Sequence, residues 1–339
     1  MCRNMPEIAI LELFSGIGGM HYALEYSSVP GKIVLAIDVH ETANMTYKHN
    51  FSDTKCTSSN VQGLKVERNQ HIEGIFMSPP CQPFTRNGNF KDVEDMRCNA
   101  FLFICDMIKE SQLKNLKYIL MENVKGFEKS EMHEIFIEAL TSAEFYYQEF
   151  IITPTEIGVA NTRHRYYCIA RQDKPFSFAN GDDYLTKLPN FHSPVERPQI
   201  SSYIDDLANH DNYLLPDNIL EKRFQVLDIC TSDSTNSMCF TKSYSRYVEG
   251  TGSVFCHLTK DELTLKLELI KLNDDDLELK KSLQLRFFTP LEVSRLMSFP
   301  PSFKFPDKVT EKQKYKLLGN SLNVAVVGEL MKLLFDVNE

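Results

Sequence analysis

The stretch Ile8-Ala9-Ile10-Leu11-Glu12-Leu13-Phe14-Ser15-Gly16-Ile17-Gly18-Gly19 limits the fold of this chain more than any other. An apolar run that closes on a glycine turn and leads into a helix, here from about Met20 to Tyr26, is the first unit of a doubly wound α/β sheet. The glycines do not follow the G-x-G-x-x-G spacing, so a dinucleotide is not the first expectation. Free backbone amides at the helix start suit a carboxylate instead. A second run, Ile33 to Ile37, ends at Asp38, where such sheets hold ribose hydroxyls. Glycine turn and acidic strand tip together point to a nucleoside-bearing ligand with a carboxylate, as in S-adenosylmethionine. Val39 stands beside an adenine face in that reading, and Asn60-Val61 stands where a third strand should end.

Gly74 to Met77 is a short apolar run that opens into Ser78-Pro79-Pro80-Cys81-Gln82-Pro83-Phe84-Thr85-Arg86-Asn87-Gly88. Three prolines around one cysteine fix φ and remove amide donors, which makes a stiff loop. A lone cysteine is most often a small buried apolar residue. On a stiff loop at a strand end, with Arg86 near, it is a candidate nucleophile, because the thiolate form is the reactive one. Ala100 to Ile108 is apolar nearly all round and reads as a buried helix. Tyr118 to Met121 is the next strand and delivers Glu122-Asn123-Val124 to the edge that also carries Asp38 and Cys81, the ligand edge of open parallel sheets. Ile135 to Ala143 reads as helix, and Tyr146 to Ile152 and Arg165 to Ala170 read as strands. Between those strands Arg163 and Arg165 alternate, so an extended backbone projects both to one side.

From Asp173 the texture changes to scattered prolines, aromatics and acidic patches. Residues 1–172 therefore read as the first part of a catalytic domain and 173–285 as a smaller, irregular recognition domain. Residues 286–339 return to ordered texture and are expected to pack back on the first part. Thr289, Pro290 and Glu292 form a capping box that starts the helix Leu291 to Met297, and Val324 to Phe335 is a final amphipathic helix. Nine cysteines, an odd number without a C-x-x-C pair, suggest neither a disulfide framework nor a metal site. The formal net charge is -9, from 37 basic and 46 acidic residues. A chain of that sign does not coat duplex DNA, so any nucleic-acid contact needs a local positive patch. No apolar run reaches about 18 residues, the length a membrane span requires.

Phe14-Ser15-Gly16-Ile17-Gly18-Gly19, Pro79-Pro80-Cys81-Gln82, Glu122-Asn123-Val124, Arg163-His164-Arg165, Arg286 to Met297 and Gly319-Asn320-Ser321, in this order, resemble the motifs of the cytosine carbon-5 methyltransferase family. Pro83-Phe84-Thr85-Arg86, and Cys239-Phe240-Thr241-Lys242 followed by Tyr247-Val248-Glu249-Gly250-Thr251-Gly252, resemble the branch of these DNA-methyltransferase-like enzymes that modifies tRNA at cytosine 38. The resemblance implies a Rossmann-like, S-adenosylmethionine-dependent methyltransferase sheet, with S-adenosylhomocysteine as product. It implies catalytic roles for Cys81, Glu122, Arg163 and Arg165. Cofactor contacts are implied at Phe14, Ser15, Gly16, Ile17, Gly18, Gly19, Asp38, Val39, Asn60, Val61, Pro80, Asn320 and Ser321. Substrate contacts are implied at Gln82, Thr85, Arg86, Asn123, Cys239, Thr241 and Lys242. Asp38 stands where many relatives carry glutamate, and Asn60 replaces an aspartate that usually contacts the adenine amino group.

The expected partner is the anticodon loop of aspartate tRNA, with weak DNA binding beside it and no membrane association. A monomer is expected, in the cytoplasm with the nucleus as a second compartment. Lys242, Tyr244, Arg246 and Tyr247, with Arg86 and Lys91, are the candidate RNA patch, and the loop Gly88 to Asp95 is a candidate cover for the substrate. The rival readings are a DNA cytosine-5 methyltransferase, a catalytically idle RNA- or cofactor-binding protein, and a small-molecule methyltransferase.

Overall fold

The computed structural model describes residues 7–80, 99–178, 184–192, 196–205, 210–273 and 275–337. Its first half alternates as β1 (Ile8–Leu13), α1 (Gly19–Ser27), β2 (Gly31–Asp38), α2 (Glu41–Asn50), β3 (Cys56–Ser58), β4 (Gly74–Met77), α3 (Asn99–Lys109), β5 (Tyr118–Val124), α4 (Glu131–Ser142), β6 (Tyr146–Ile152) and β7 (Arg165–Arg171). The second half holds α5 (Asp217–Lys222), β8 (Ile229–Cys230), β9 (Val254–Phe255), α6 (Lys260–Leu272), α7 (Leu277–Lys281), β10 (Arg286–Phe287), α8 (Pro290–Leu296), α9 (Glu311–Gly319) and α10 (Val324–Leu334).

Seven strands form one sheet in the order β3-β2-β1-β4-β5-β7-β6. Strands β1 to β5 pair in parallel, and β7 runs antiparallel to β5 and β6. Both faces are covered, so the strands are mostly apolar, with Glu12, Gln148 and Glu149 among the buried exceptions, and alternate residues enter different cores. Ile10, Phe76, Leu120 and Tyr167 belong to the core shared with α1, α2 and α10, while Leu13, Met77, Met121 and Tyr166 pack with α3 and α4. The strand order reverses between β1 and β4, and that switch opens a crevice beyond the carboxyl ends of the strands. Because β7 is antiparallel, its first residue, Arg165, pairs with Val124 at the end of β5. A residue that begins a strand thereby reaches the edge where the others end.

A three-stranded sheet, β10-β9-β8, lies in the second half. Its side chains and those around it, including Ile200, Leu220, Phe240, Tyr244 and Phe288, join the same core as α1, α9 and α10. Helix α8 begins at Pro290 with Thr289 as cap, and both halves of the capping box are present, as its local sequence requires. The box is reinforced by Arg286, whose two terminal nitrogens each donate to Glu292 at 2.8 Å in a buried, bidentate pair. The segment Glu311–Leu334 is long and apolar enough to cross a membrane by length and composition, but 72% of its most apolar window is buried. It also breaks between α9 and α10, as core helices do. The expected third strand is shorter than read: β3 stops at Ser58, and Asn60 caps the 3-10 turn Val61–Gly63 by accepting from the Gln62 amide at 3.1 Å.

Candidate active site

A cavity of about 320 Å³ lies at this switch point. Its first end is built by Phe14, Gly16 and Ile17 after β1, by Asp38 at the end of β2 with Val39 and His40 following it, and by Asn320 and Ser321 between α9 and α10. Gly16 and Gly18 both hold positive φ, and a Cβ on Gly18 would come within 2.5 Å of the Phe51 ring, so the turn requires glycine there. Asp38 ties this turn to β2. Its two carboxylate oxygens accept from the amides of Gly16 (2.9 Å) and His40 (2.7 Å), and each keeps a further acceptor position. Val39 is 68% exposed although apolar, which is the surface a flat aromatic base covers. Two amides expected to be free are engaged within the protein, Gly16 to Asp38 and Gly18 to the Ser15 carbonyl. Ser15, Gly18 and Gly19 stand behind the lining: the Ser15 amide bonds the Ile37 carbonyl, and Gly19 packs against Leu322. Asn60 and Val61 are also outside it, because the early end of β3 commits Asn60 to its cap and buries Val61 in the core.

The second end holds the reactive groups. Glu122 and Asn123 arrive at the end of β5, and Ser78, Pro79 and Pro80 form the adjoining wall after β4. Cys81, Gln82, Thr85, Arg86, Lys91 and the loop from Gly88 to Asp95 lie outside the described residues. Burial pushes the Glu122 carboxyl above the usual carboxylate range, with Arg165 and then Arg163 pulling the other way. The Arg165 Nε lies 3.4 Å from Glu122 Oε1. Arg163 and Arg165 both reach the cavity, as their alternation predicts, but they do different things. Arg163 is 3% exposed, and its Nη1 donates to the Phe240 carbonyl (3.0 Å) and to Cys239 Sγ (3.4 Å). Its Nη2 donates to the carbonyls of Gly319 (3.1 Å) and Ser321. Both terminal nitrogens are thus held by the protein and only Nε is without a partner among the described residues, so Arg163 positions these segments where a directly catalytic role was expected.

The clamp joins the segment that begins β7, the segment around Cys239, and the α9–α10 junction. Burial alone would raise the Cys239 thiol, but the charges of Arg163 and Arg165 outweigh it and hold it below the usual thiol range. Thr241 supports Lys242 from behind, its amide bonded to the Thr251 carbonyl at 2.9 Å, and Lys242 lines the cavity. Tyr244 leaves the expected RNA patch: it is buried, donates to the Ser253 carbonyl and accepts from the Phe288 amide. Sequence reasoning missed His40, Leu317 and Gly319 in the lining. Gly319 had a signal, since it stands in the same motif as Asn320 and Ser321. It also missed the buried cluster under the turn. Glu12 on β1, pushed up to about 8 by burial, accepts from Tyr47 at 2.7 Å, and Tyr47 meets His21, which burial pushes down to about 4.

A family model described as C-5 cytosine-specific DNA methylase matches residues 8–336. A relative from Spodoptera frugiperda named tRNA (cytosine(38)-C(5))-methyltransferase is 45% identical over 335 residues, covering 96% of this chain and 99% of its own length. A relative from Dictyostelium discoideum named DNA (cytosine-5)-methyltransferase is 35% identical, covering 99% of this chain and 96% of its own length. Among solved structures, that of Spodoptera frugiperda DNMT2 matches with a TM-score of 0.88 at 42% identity, covering 97% of this chain and 100% of that one.

Proposed function

The chain belongs to the C-5 cytosine-specific DNA methylase family, and from that premise we propose that it methylates carbon 5 of cytosine 38 in the anticodon loop of aspartate tRNA, using S-adenosylmethionine. The observation that carries this reading is one cavity lined at one end by Asp38, Val39, Asn320 and Ser321 and at the other by Glu122 and Arg165. The first end fits a nucleoside: acceptor positions on Asp38 for ribose hydroxyls and an uncovered apolar surface at Val39 for adenine. When bound, S-adenosylmethionine supplies an electrophilic methyl group on a sulfonium.

Cytosine carbon 5 is a poor nucleophile until carbon 6 carries an extra substituent. The Cys81 thiolate adds to carbon 6, and the displaced π electrons give carbon 5 enamine character. Glu122, whose carboxyl burial raises, shares a proton with ring nitrogen 3, and the Arg165 guanidinium faces the exocyclic oxygen. Carbon 5 would take its methyl group from the cofactor, the methyl–sulfur bond breaking to leave S-adenosylhomocysteine. A base takes the carbon-5 proton, the electrons of that bond re-form the double bond and expel the Cys81 thiolate, and ring nitrogen 3 gives its proton back to Glu122, so the enzyme returns to its starting state. The target must leave its stack to be reached, and a single-stranded loop makes that easier for an acidic protein than a duplex does.

The Dictyostelium relative's name favours a second reading, in which DNA is the substrate. Incubation with labelled cofactor and either total tRNA or unmethylated DNA separates the two. Label in tRNA, mapped to cytosine 38 by bisulfite sequencing, is expected; label confined to DNA overturns the substrate. Cys81→Ala is expected to abolish transfer and to leave cofactor binding intact, and unchanged transfer would remove Cys81 from the reaction.

A further inference from the structure

The segment 241–252 is a closed loop with one aromatic ring left outside. The Thr241 amide bonds the Thr251 carbonyl at 2.9 Å, the Tyr244 amide bonds Thr241 and the Arg246 amide bonds Ser243, both at 3.1 Å, and Thr251 Oγ1 donates to the Tyr247 carbonyl. Phe240, Tyr244 and Val248 turn inward, and the Tyr244 ring meets Phe240, Phe287 and Tyr315 edge-on. Tyr247, in the same loop, is 54% exposed, and the Arg246 guanidinium lies over its ring, 5.2 Å from the centroid. The foot of the loop is fixed to the cavity. Lys242 lines it, and a Cβ on Gly319 would lie 2.1 Å from the Lys242 amide nitrogen. Arg163 holds the Phe240 carbonyl next to it.

We propose that Tyr247, backed by Arg246, is a stacking platform for an unpaired nucleobase of the RNA loop that carries the target cytosine. This rests on the function proposed above and adds a recognition element to the same site. When one base leaves a loop stack, its neighbours lose a stacking face, and an aromatic ring can replace it. Every base has a π-face, so the platform tolerates sequence, while the arginine adds a cation over the ring and a charge for phosphate. The loop is already closed by its own hydrogen bonds, so binding orders little new chain. With a net charge of -9, long-range attraction to RNA is weak, and contact that does not depend on charge matters more. The one carboxylate on the loop, Glu249, is partly matched by Arg223 at 4.0 Å.

The test is steady-state methyl transfer to tRNA by the full chain. Tyr247→Ala is expected to lower kcat/KM about tenfold or more, the range of a lost base–aromatic stack, and Tyr247→Phe to retain it. The salt dependence of tRNA binding should keep its slope in Tyr247→Ala and lose about one unit in Arg246→Ala. Binding of S-adenosylhomocysteine should match the wild type in all three variants. Wild-type kcat/KM in Tyr247→Ala overturns the platform and leaves the ring for another partner, such as a protein surface. Equal impairment of the Phe and Ala variants, or lost S-adenosylhomocysteine binding, overturns it by making the residue structural. Wild-type protein that transfers nothing to tRNA fails at the function beneath instead.

Discussion

Glu122 sits between opposing influences, since burial raises its carboxyl while Arg165 and Arg163 stabilise the charged form. Burial wins, so the proton stays on to higher pH than on an ordinary carboxyl, and the proton-sharing form is lost as pH rises through that raised value. The pH profile of kcat should therefore fall on its alkaline side. Glu122→Gln keeps a hydrogen-bond donor and removes the titration; it is expected to slow transfer by about 10² or more and to lose that alkaline limb. A limb unchanged in the variant would assign it to another group. The identity of Glu122 was legible because it ends an apolar strand. The difference between Arg163 and Arg165 was not. Both are arginines two residues apart, and only the placement of Phe240, Gly319 and Ser321 around the first shows that its terminal nitrogens are occupied.

At the scale of elements, the start of α8 was legible to within one residue, because a capping box joins groups three residues apart and needs no distant partner. The bidentate hold of Arg286 on Glu292 was not read, although both residues lie in the same short segment. The antiparallel run of β7 was hidden as well: strand direction depends on which neighbour the strand pairs with, and its apolar pattern is the same either way. The contact between the end of α9 and the recognition loop yields a prediction at this scale. Gly319→Ala places a methyl group 2.1 Å from the Lys242 amide nitrogen, and backbone on both sides leaves no flexible side chain to yield. The variant should fold, with circular dichroism close to wild type, but lose tRNA methylation at least tenfold, because Lys242 and the Asn320-Ser321 turn move apart. Wild-type kcat/KM would show that the two segments need not touch for the reaction.

For the whole molecule, one apolar core runs from Ile10 on β1 through Ile200, Phe240 and Phe288 to Leu334 on α10. Elements that share a core lose their contacts together. Heat unfolding followed by tyrosine near-ultraviolet circular dichroism and by backbone circular dichroism should give one coincident transition. Two separated transitions would mean that residues 173–285 melt as their own unit. Local patterning determined the alternating strands and helices, the glycine turn, the α8 cap and the residue types of the site, because period, turn chemistry and capping act over a few positions along the chain. Tertiary structure alone decided that β7 turns back to bring Arg165 beside Glu122, that Arg163 is a clamp, that Asn60 stays out of the cavity, and that Tyr244 is buried while Tyr247 is not. Those outcomes depend on which distant segments meet, and hydrogen-bond partners supplied from about 80 or 160 residues away leave no trace in the local pattern.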